Sequence, residues 1–168
     1  FLSPEVKGSG VPEVMESIAI KGGIIRLRVL ITKTLAAAIT IGSGGSAGRE
    51  GPIIHIGAAI GSAFGQLTGL SPRKLRTFVA CGAASGIAAT FNAPIAGALF
   101  AVEVIIGDFA VPQFSPIVIS SVVATVLSRH FIGDFPAFVV PGYDLISTIE
   151  FIPYTVIGIL AGLLAAVS

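Results

Sequence analysis

Gly48-Arg49-Glu50-Gly51-Pro52, leading into the apolar stretch Ile53-Ile54-His55-Ile56-Gly57-Ala58-Ala59-Ile60-Gly61, decides how this chain folds. From Gly51 to Ser71 there is no Asp, Glu, Lys or Arg, which gives the segment the length and polarity of a bilayer helix. Proline at the first helical turn costs little, because its missing N–H would have no partner there anyway. Glycine beside it frees the backbone to turn out its amide groups. A helix start carries about half a positive charge together with unpaired N–H donors, which makes it an anion site. Glu50 sits at this start between long apolar runs, and an ionisable residue so placed is a functional candidate by default.

The arrangement recurs. Gly8-Ser9-Gly10-Val11-Pro12 precedes a short helical pattern that reaches about Ile20, and Phe91-Asn92-Ala93-Pro94 interrupts the uncharged run from Thr77 to Val102. Broken backbone is tolerated at membrane depth only where it is buried in protein or lines a watery cavity. In transporters such interruptions mark the binding site near the bilayer midplane. Two helix tips facing one spot would bind a small anion without any full positive charge. That suits conduction, since an ion held too tightly does not leave. On the residues alone two readings of Glu50 stay open. Its carboxylate can occupy the place of the anion and swing away when protonated, or it can cap its helix from a surface loop beside Arg49.

Outward from these motifs, composition sets the class. The chain is 54% hydrophobic and 11% charged, with a mean hydropathy of +0.96. Soluble domains carry about 25% charged residues, so too few polar side chains are present to wet a globule. The bilayer is the expected solvent. A net charge of +1 without a basic face argues against a nucleic-acid partner. Lone Cys81 cannot form an intramolecular disulfide and reads as a packing residue. Phe1 is not an initiator methionine and no signal peptide follows it; the last apolar stretch, Phe151 to Ser168, stops before a polar flank. Both ends predict an internal piece of a longer protein.

The expected fold is all-α: a polytopic membrane protein of about seven short, broken and re-entrant helices. Leu27 to Ser43, Gly51 to Ser71, Thr77 to Val102 (split at Asn92-Ala93-Pro94), Phe109 to Ser128 and Phe151 onward carry them. Residues 1–28 hold seven charges, Glu5 and Lys7 among them, and precede these spans. Glycines every four residues, at Gly57, Gly61 and Gly65, at Gly82 and Gly86, and at Gly158 and Gly162, predict close helix contacts. Arg73, Lys74 and Arg76 are expected in a cytoplasmic loop, Asn92 as an N-cap, and Glu103 with Asp108 as the structural end of the helix begun at Pro94. His55 reads as an interior histidine, because no Cys or carboxylate cluster accompanies it as in a metal site. Gly42-Ser43-Gly44-Gly45-Ser46-Ala47 fits a loose dinucleotide fingerprint, but it follows an apolar helix and no acidic residue stands between Glu50 and Glu103. No enzyme activity and no cofactor are expected. A non-conducting assembly subunit with purely architectural breaks is the remaining rival.

The segments GSGVPEV (8–14), GREGP (48–52) and FNAPIAGALFAVE (91–103) together resemble the CLC family of chloride channels and chloride/proton exchangers. The likeness is collinear from about Ser3 to Asp108. It implies that residues 1–168 are a partial CLC-type transmembrane domain lacking N- and C-terminal parts. It also implies that Gly8, Ser9, Gly10, Val11 and Pro12 form one wall of a selectivity filter, with the Ser9 hydroxyl on the central chloride. The second wall would run from Gly48 to Pro52 through Arg49, Glu50 and Gly51, with backbone N–H groups at the outer site and Glu50 as the external gate. Exchangers of the family often carry a second glutamate directly after the one matching Glu103, as the inner proton site. Here that position is Val104, which favours a passive channel over an exchanger with an atypical inner proton route. Ser9 resembles chloride-preferring members rather than nitrate-preferring ones. The resemblance further implies a homodimer meeting through the helices around Pro94 to Val104 and Phe109 to Arg129. It implies a bacterial-type inner membrane as location, and chloride, with protons under the exchanger reading, as the transported partners. The family's GxFxP segment and filter tyrosine have no counterpart in this chain.

Overall fold

The computed structural model describes residues 8–107, 111–134 and 147–167. Glu5, Lys7, the start of the family likeness at Ser3, and Asp108 as a helix end lie outside the described residues. The chain divides into two compact units, residues 1–137 and residues 138–168. The described residues are α-helical with short π and 3-10 stretches and contain no strand.

In the first unit α1 (Val11–Ala19) is short, and α2 (Leu27–Gly42) and α3 (Glu50–Leu67) are longer. They are followed by α4 (Pro72–Phe91) and α5 (Pro94–Phe100), which runs on into a π-helical stretch (Ala101–Ile106), and then by α6 (Val111–Ile132). The expected break falls at Asn92-Ala93-Pro94. Glycine decides how α3 and α4 meet. A Cβ on Gly57 would strike the carbonyl oxygen of Gly82, and one on Gly82 would strike that of Gly57. Gly61 lies equally close to the Phe78 carbonyl, and a Cβ on Gly86 would come within 2.9 Å of the Ile53 oxygen. Backbone touches backbone along the whole crossing, as small residues permit in helix pairs. In α5, a Cβ on Gly97 would sit 2.7 Å from the Ala84 oxygen, so α5 folds back along α4.

The core follows from this contact. Val14, Ile18, Val29, Ile54, Ala58, Val79, Ala83, Ala98, Val102 and Ile117 are buried, drawn from α1 through α6. Many large apolar side chains point outward instead, among them Ile31, Leu67, Ile119 and Phe131. A surface so apolar is unlike that of a water-soluble domain and matches a lipid-facing one. Pro112 to Ile132 is long and apolar enough to cross a membrane.

Two expectations change. Arg73, Lys74 and Arg76 do not lie in a loop but form the first turns of α4, which begins at Pro72 after the extended N-cap Ser71. Three cations at a helix start oppose its dipole by about 0.3–1 kcal/mol each at most. Their exposure to water reduces that cost, and the apolar run behind them carries the helix. Asn92 is not the N-cap of α5, a position held by Ala93. It is the C-cap of α4, in the left-handed conformation at φ 56°. Its amide group donates to Asp134 Oδ1 at 2.8 Å, its oxygen accepts from Arg129 Nε at 2.5 Å, and Arg129 pairs with Asp134 at 3.2 Å. This cluster fastens the end of α4 to the end of α6.

In the second unit a 3-10 turn (Thr148–Glu150) leads into α7 (Phe151–Val167). The Ser147 hydroxyl caps the turn by accepting from the Ile149 N–H at 3.3 Å. Gly158 and Gly162 have nothing within 4 Å, so the close partner expected for them is absent among the described residues.

Candidate functional site

The Gly8-Ser9-Gly10 turn reaches α1 with positive φ at Gly8 (91°) and Gly10 (109°), a conformation that glycine adopts without steric cost. Gly10 is the N-cap and Pro12 lies in the first turn. The turn is held from two sides. Lys33, buried in α2 at 3% exposure, donates from Nζ to the Gly8 carbonyl at 2.8 Å. The Gly10 N–H donates to Glu13 Oε2 at 2.9 Å, the reach-back of a carboxylate at the third helical position. The Gly10 amide is therefore occupied. The Val11 side chain packs against the core.

Residues 43–49 link α2 to α3. Arg49 is the N-cap of α3, and Glu50 and Pro52 fall in its first turn. This tip is laid directly on the first. A Cβ on Gly51 would strike the carbonyl oxygen of Ser9, and one on Gly10 would come within 2.6 Å of the Gly51 oxygen and 3.0 Å of the His55 Cβ. The two proline-started tips therefore converge, and glycine at 10 and 51 is what lets them touch. A cavity of about 150 Å³ opens beside the junction, lined by Gly8 from one turn, Gly48 and Pro52 from the other, and Lys33 and Thr40 from α2. Glu50 is exposed, and its carboxylate curls back onto Gly48 so closely that a Cβ there would collide with Oε2. The carboxylate thus touches a residue of the cavity wall.

Such a cavity offers a small anion two helix starts and one buried ammonium group. Lys33 is the residue that sequence reasoning passed over. Its signal is an ionisable side chain among apolar neighbours, near the start of the apolar stretch Leu27 to Ser43. Pro94 starts α5 as expected, yet the described contacts carry that helix against α4 rather than to this cavity. Val104 lies in the π-helical stretch, half-buried, and lines a separate cavity of about 350 Å³ with Met15, Arg76 and Gln113. The adjacent Glu103 is exposed. Gly44, at φ 84°, lies in a link between two helices, so the fingerprint-like glycines have no βαβ unit around them among the described residues.

A sequence model of the voltage gated chloride channel family matches residues 1–167. A putative chloride channel protein, ClcB-like, of Ralstonia nicotianae is 34% identical over 92% of this chain and 37% of its own length. The chloride channel protein CLC-e of Arabidopsis thaliana is 39% identical over 79% of this chain and 20% of its own. The H(+)/Cl(-) exchange transporter ClcA of Vibrio cholerae is 34% identical over 84% of this chain and 31% of its own. The chain thus spans between a fifth and two-fifths of these relatives. A solved structure, that of a slow cyanobacterial Cl⁻/H⁺ antiporter, superposes with a TM-score of 0.78 over 97% of this chain and 39% of that one. At 24% identity, that likeness speaks to the fold.

Proposed function

Because the chain belongs to the voltage-gated chloride channel family, we propose that it supplies the gated half of a chloride pathway in an integral membrane protein. The observation that carries this is the convergence of the tips at Gly10 and Gly51 beside a cavity reached by Gly48 and Lys33. Chloride sits in the cavity beside the junction of the tips, held by backbone N–H groups of Ser9 and Val11 from one tip and of Arg49, Glu50 and Gly51 from the other, with the Ser9 hydroxyl. A fixed dipole attracts the ion without the desolvation barrier of a bare charge pair. Lys33 adds charge at one remove, its ammonium engaged by Gly8. Glu50 is the gate: ionised, its carboxylate competes with chloride for the same amides, and protonated it gives way. The protein works as a homodimer in lipid, in a bacterial-type inner membrane, with no nucleic-acid partner and no cofactor.

Passive conduction is the favoured mode, since Val104 has no proton to pass on. The exchange mode rests on a different observation, a second cavity lined by carboxylates and a buried histidine behind Gly10. Glu50→Gln in the full-length protein, reconstituted in liposomes, raises chloride efflux and removes the response to acid in the carboxylate range. A response that survives unchanged sinks the gate. Proton movement recorded alongside is expected to lack a fixed ratio to chloride; a fixed ratio would establish exchange.

A further inference from the structure

His55 is 2% exposed and occupies the second turn of α3, its Cβ packed against Gly10 at the junction of the two tips. Behind it lies a cavity of about 240 Å³ whose walls include His55, Glu13, Glu16, Lys21 and Arg26. Glu16, Lys21 and Arg26 are exposed, so this cavity links the buried imidazole to the outer surface of the unit. Its surface end can be located. The Ser62 hydroxyl donates to the Gly23 carbonyl at 2.6 Å and accepts from the Ile25 N–H at 2.9 Å. A Cβ on Gly23 would lie 3.1 Å from the Arg76 nitrogen. The link between α1 and α2 is therefore on the side of the fold where α4 begins with Arg73, Lys74 and Arg76.

We propose that His55 is a proton-binding site reached through this cavity, from the side that carries Arg73 to Arg76, and that its protonation strengthens anion binding at the adjoining tips. This rests on the reading that anions pass between those tips. The charged groups around the ring come from each element packed on it. α1 brings Glu13, whose carboxylate holds the Gly10 amide, and Glu16, which pairs with Lys21 at 3.0 Å. The link brings Lys21 and Arg26, while Lys33 of α2 bonds Gly8 and lines the other cavity and Glu50 of α3 folds back onto Gly48. α4 carries no charge from Thr77 to Phe91. The carboxylates of Glu13 and Glu16 on the cavity wall attract a proton into it. A water in the cavity delivers the proton to a ring nitrogen and is re-protonated from bulk, and the ring gains one positive charge. That charge appears beside Gly10 and Gly51, where an anion offsets it. Imidazole is the side chain whose ordinary charge change falls between pH 5 and 8, which suits it to such a switch.

The test uses the full-length protein with Glu50→Gln, so that the gate contributes no titration. Chloride efflux is followed while the pH on each side is changed separately. As the side bearing Arg73 to Arg76 is acidified through the imidazole range, near about 6.5, efflux rises by roughly three- to tenfold. Acid on the opposite side leaves it unchanged. Adding His55→Gln flattens the response, and adding Glu16→Gln instead moves it to lower pH, because a carboxylate that attracts the proton is gone. The second variant decides the matter if the buried substitution does not fold. Efflux that is flat with pH, a response to acid from the opposite side, or a midpoint unmoved by Glu16→Gln overturns the proposal alone. No efflux at any pH overturns the transport reading and this proposal with it.

Discussion

Gly51 carries its role in having no side chain. Its Cα faces the Ser9 carbonyl with no space for a methyl group, so Gly51→Ala forces the two tips apart. Overpacking of this kind costs about 1–3 kcal/mol, and here the displaced atoms are those proposed to hold the ion. Gly51→Ala is expected to lower chloride affinity tenfold or more in a binding titration of the full-length protein. Wild-type affinity in that variant would mean the contact is not the site. Lys33→Met keeps the length of the side chain but leaves the Gly8 carbonyl without its donor. A hydrogen bond to a charged group contributes about 1.5–3 kcal/mol, and this one is only part-buried beside exposed Gly8, so chloride is expected to bind roughly tenfold more weakly. Equal binding by the two proteins would remove Lys33 from the account. At this scale the sequence was uneven. Glycine and proline around Pro12 and Pro52 spelled out the tips, because conformational freedom and a missing N–H are properties of the residue itself. His55 was read as an interior histidine and is buried, but its neighbours and those of Lys33 could not be named, because they depend on which turn of another helix lies opposite.

The contact between α3 and α4 rests on Gly57, Gly61, Gly82 and Gly86, which were legible as a four-residue spacing. Where that spacing finds a neighbouring helix, as at Gly57 and Gly82, the backbones touch; at Gly158 and Gly162 the described residues offer none. Spacing alone states a capacity for close approach and not its partner. Gly82→Val is therefore expected to separate α3 from α4 and to lower the thermal midpoint of the purified protein by several degrees, at about 1–3 kcal/mol. An unshifted midpoint would contradict the crossing. The start of α4 was misplaced for a different reason. Three cations after Pro72 look like a loop under a rule about membrane sidedness, yet Ser71 and Pro72 are sound helix-start residues. Asn92 was misread by one position, since asparagine suits both an N-cap and a left-handed C-cap. Replacing it with alanine removes the hydrogen bonds to Arg129 and Asp134 and strains φ 56°. Faster amide exchange at the end of α4 is the expected result, and unchanged protection would show that the cluster does nothing.

For the molecule as a whole, an all-α membrane architecture could be read from composition, since 11% charged residues cannot cover a soluble surface. The convergence of the tips could not, because it depends on how α2 and the links at residues 20–26 and 43–49 bring α3 back onto α1. The described fold brings together Gly8, Gly10, Gly48, Gly51 and Lys33, and sets Val104 at a distinct cavity. The transported anion proposed above should therefore sit beside this junction. Bromide substitutes for chloride and scatters anomalously, so diffraction from crystals of the full-length protein grown in bromide locates it directly. The account predicts an anomalous peak in the cavity beside the junction of the Ser9–Val11 and Arg49–Gly51 backbones; a protein whose bromide binds only away from both tips would contradict it.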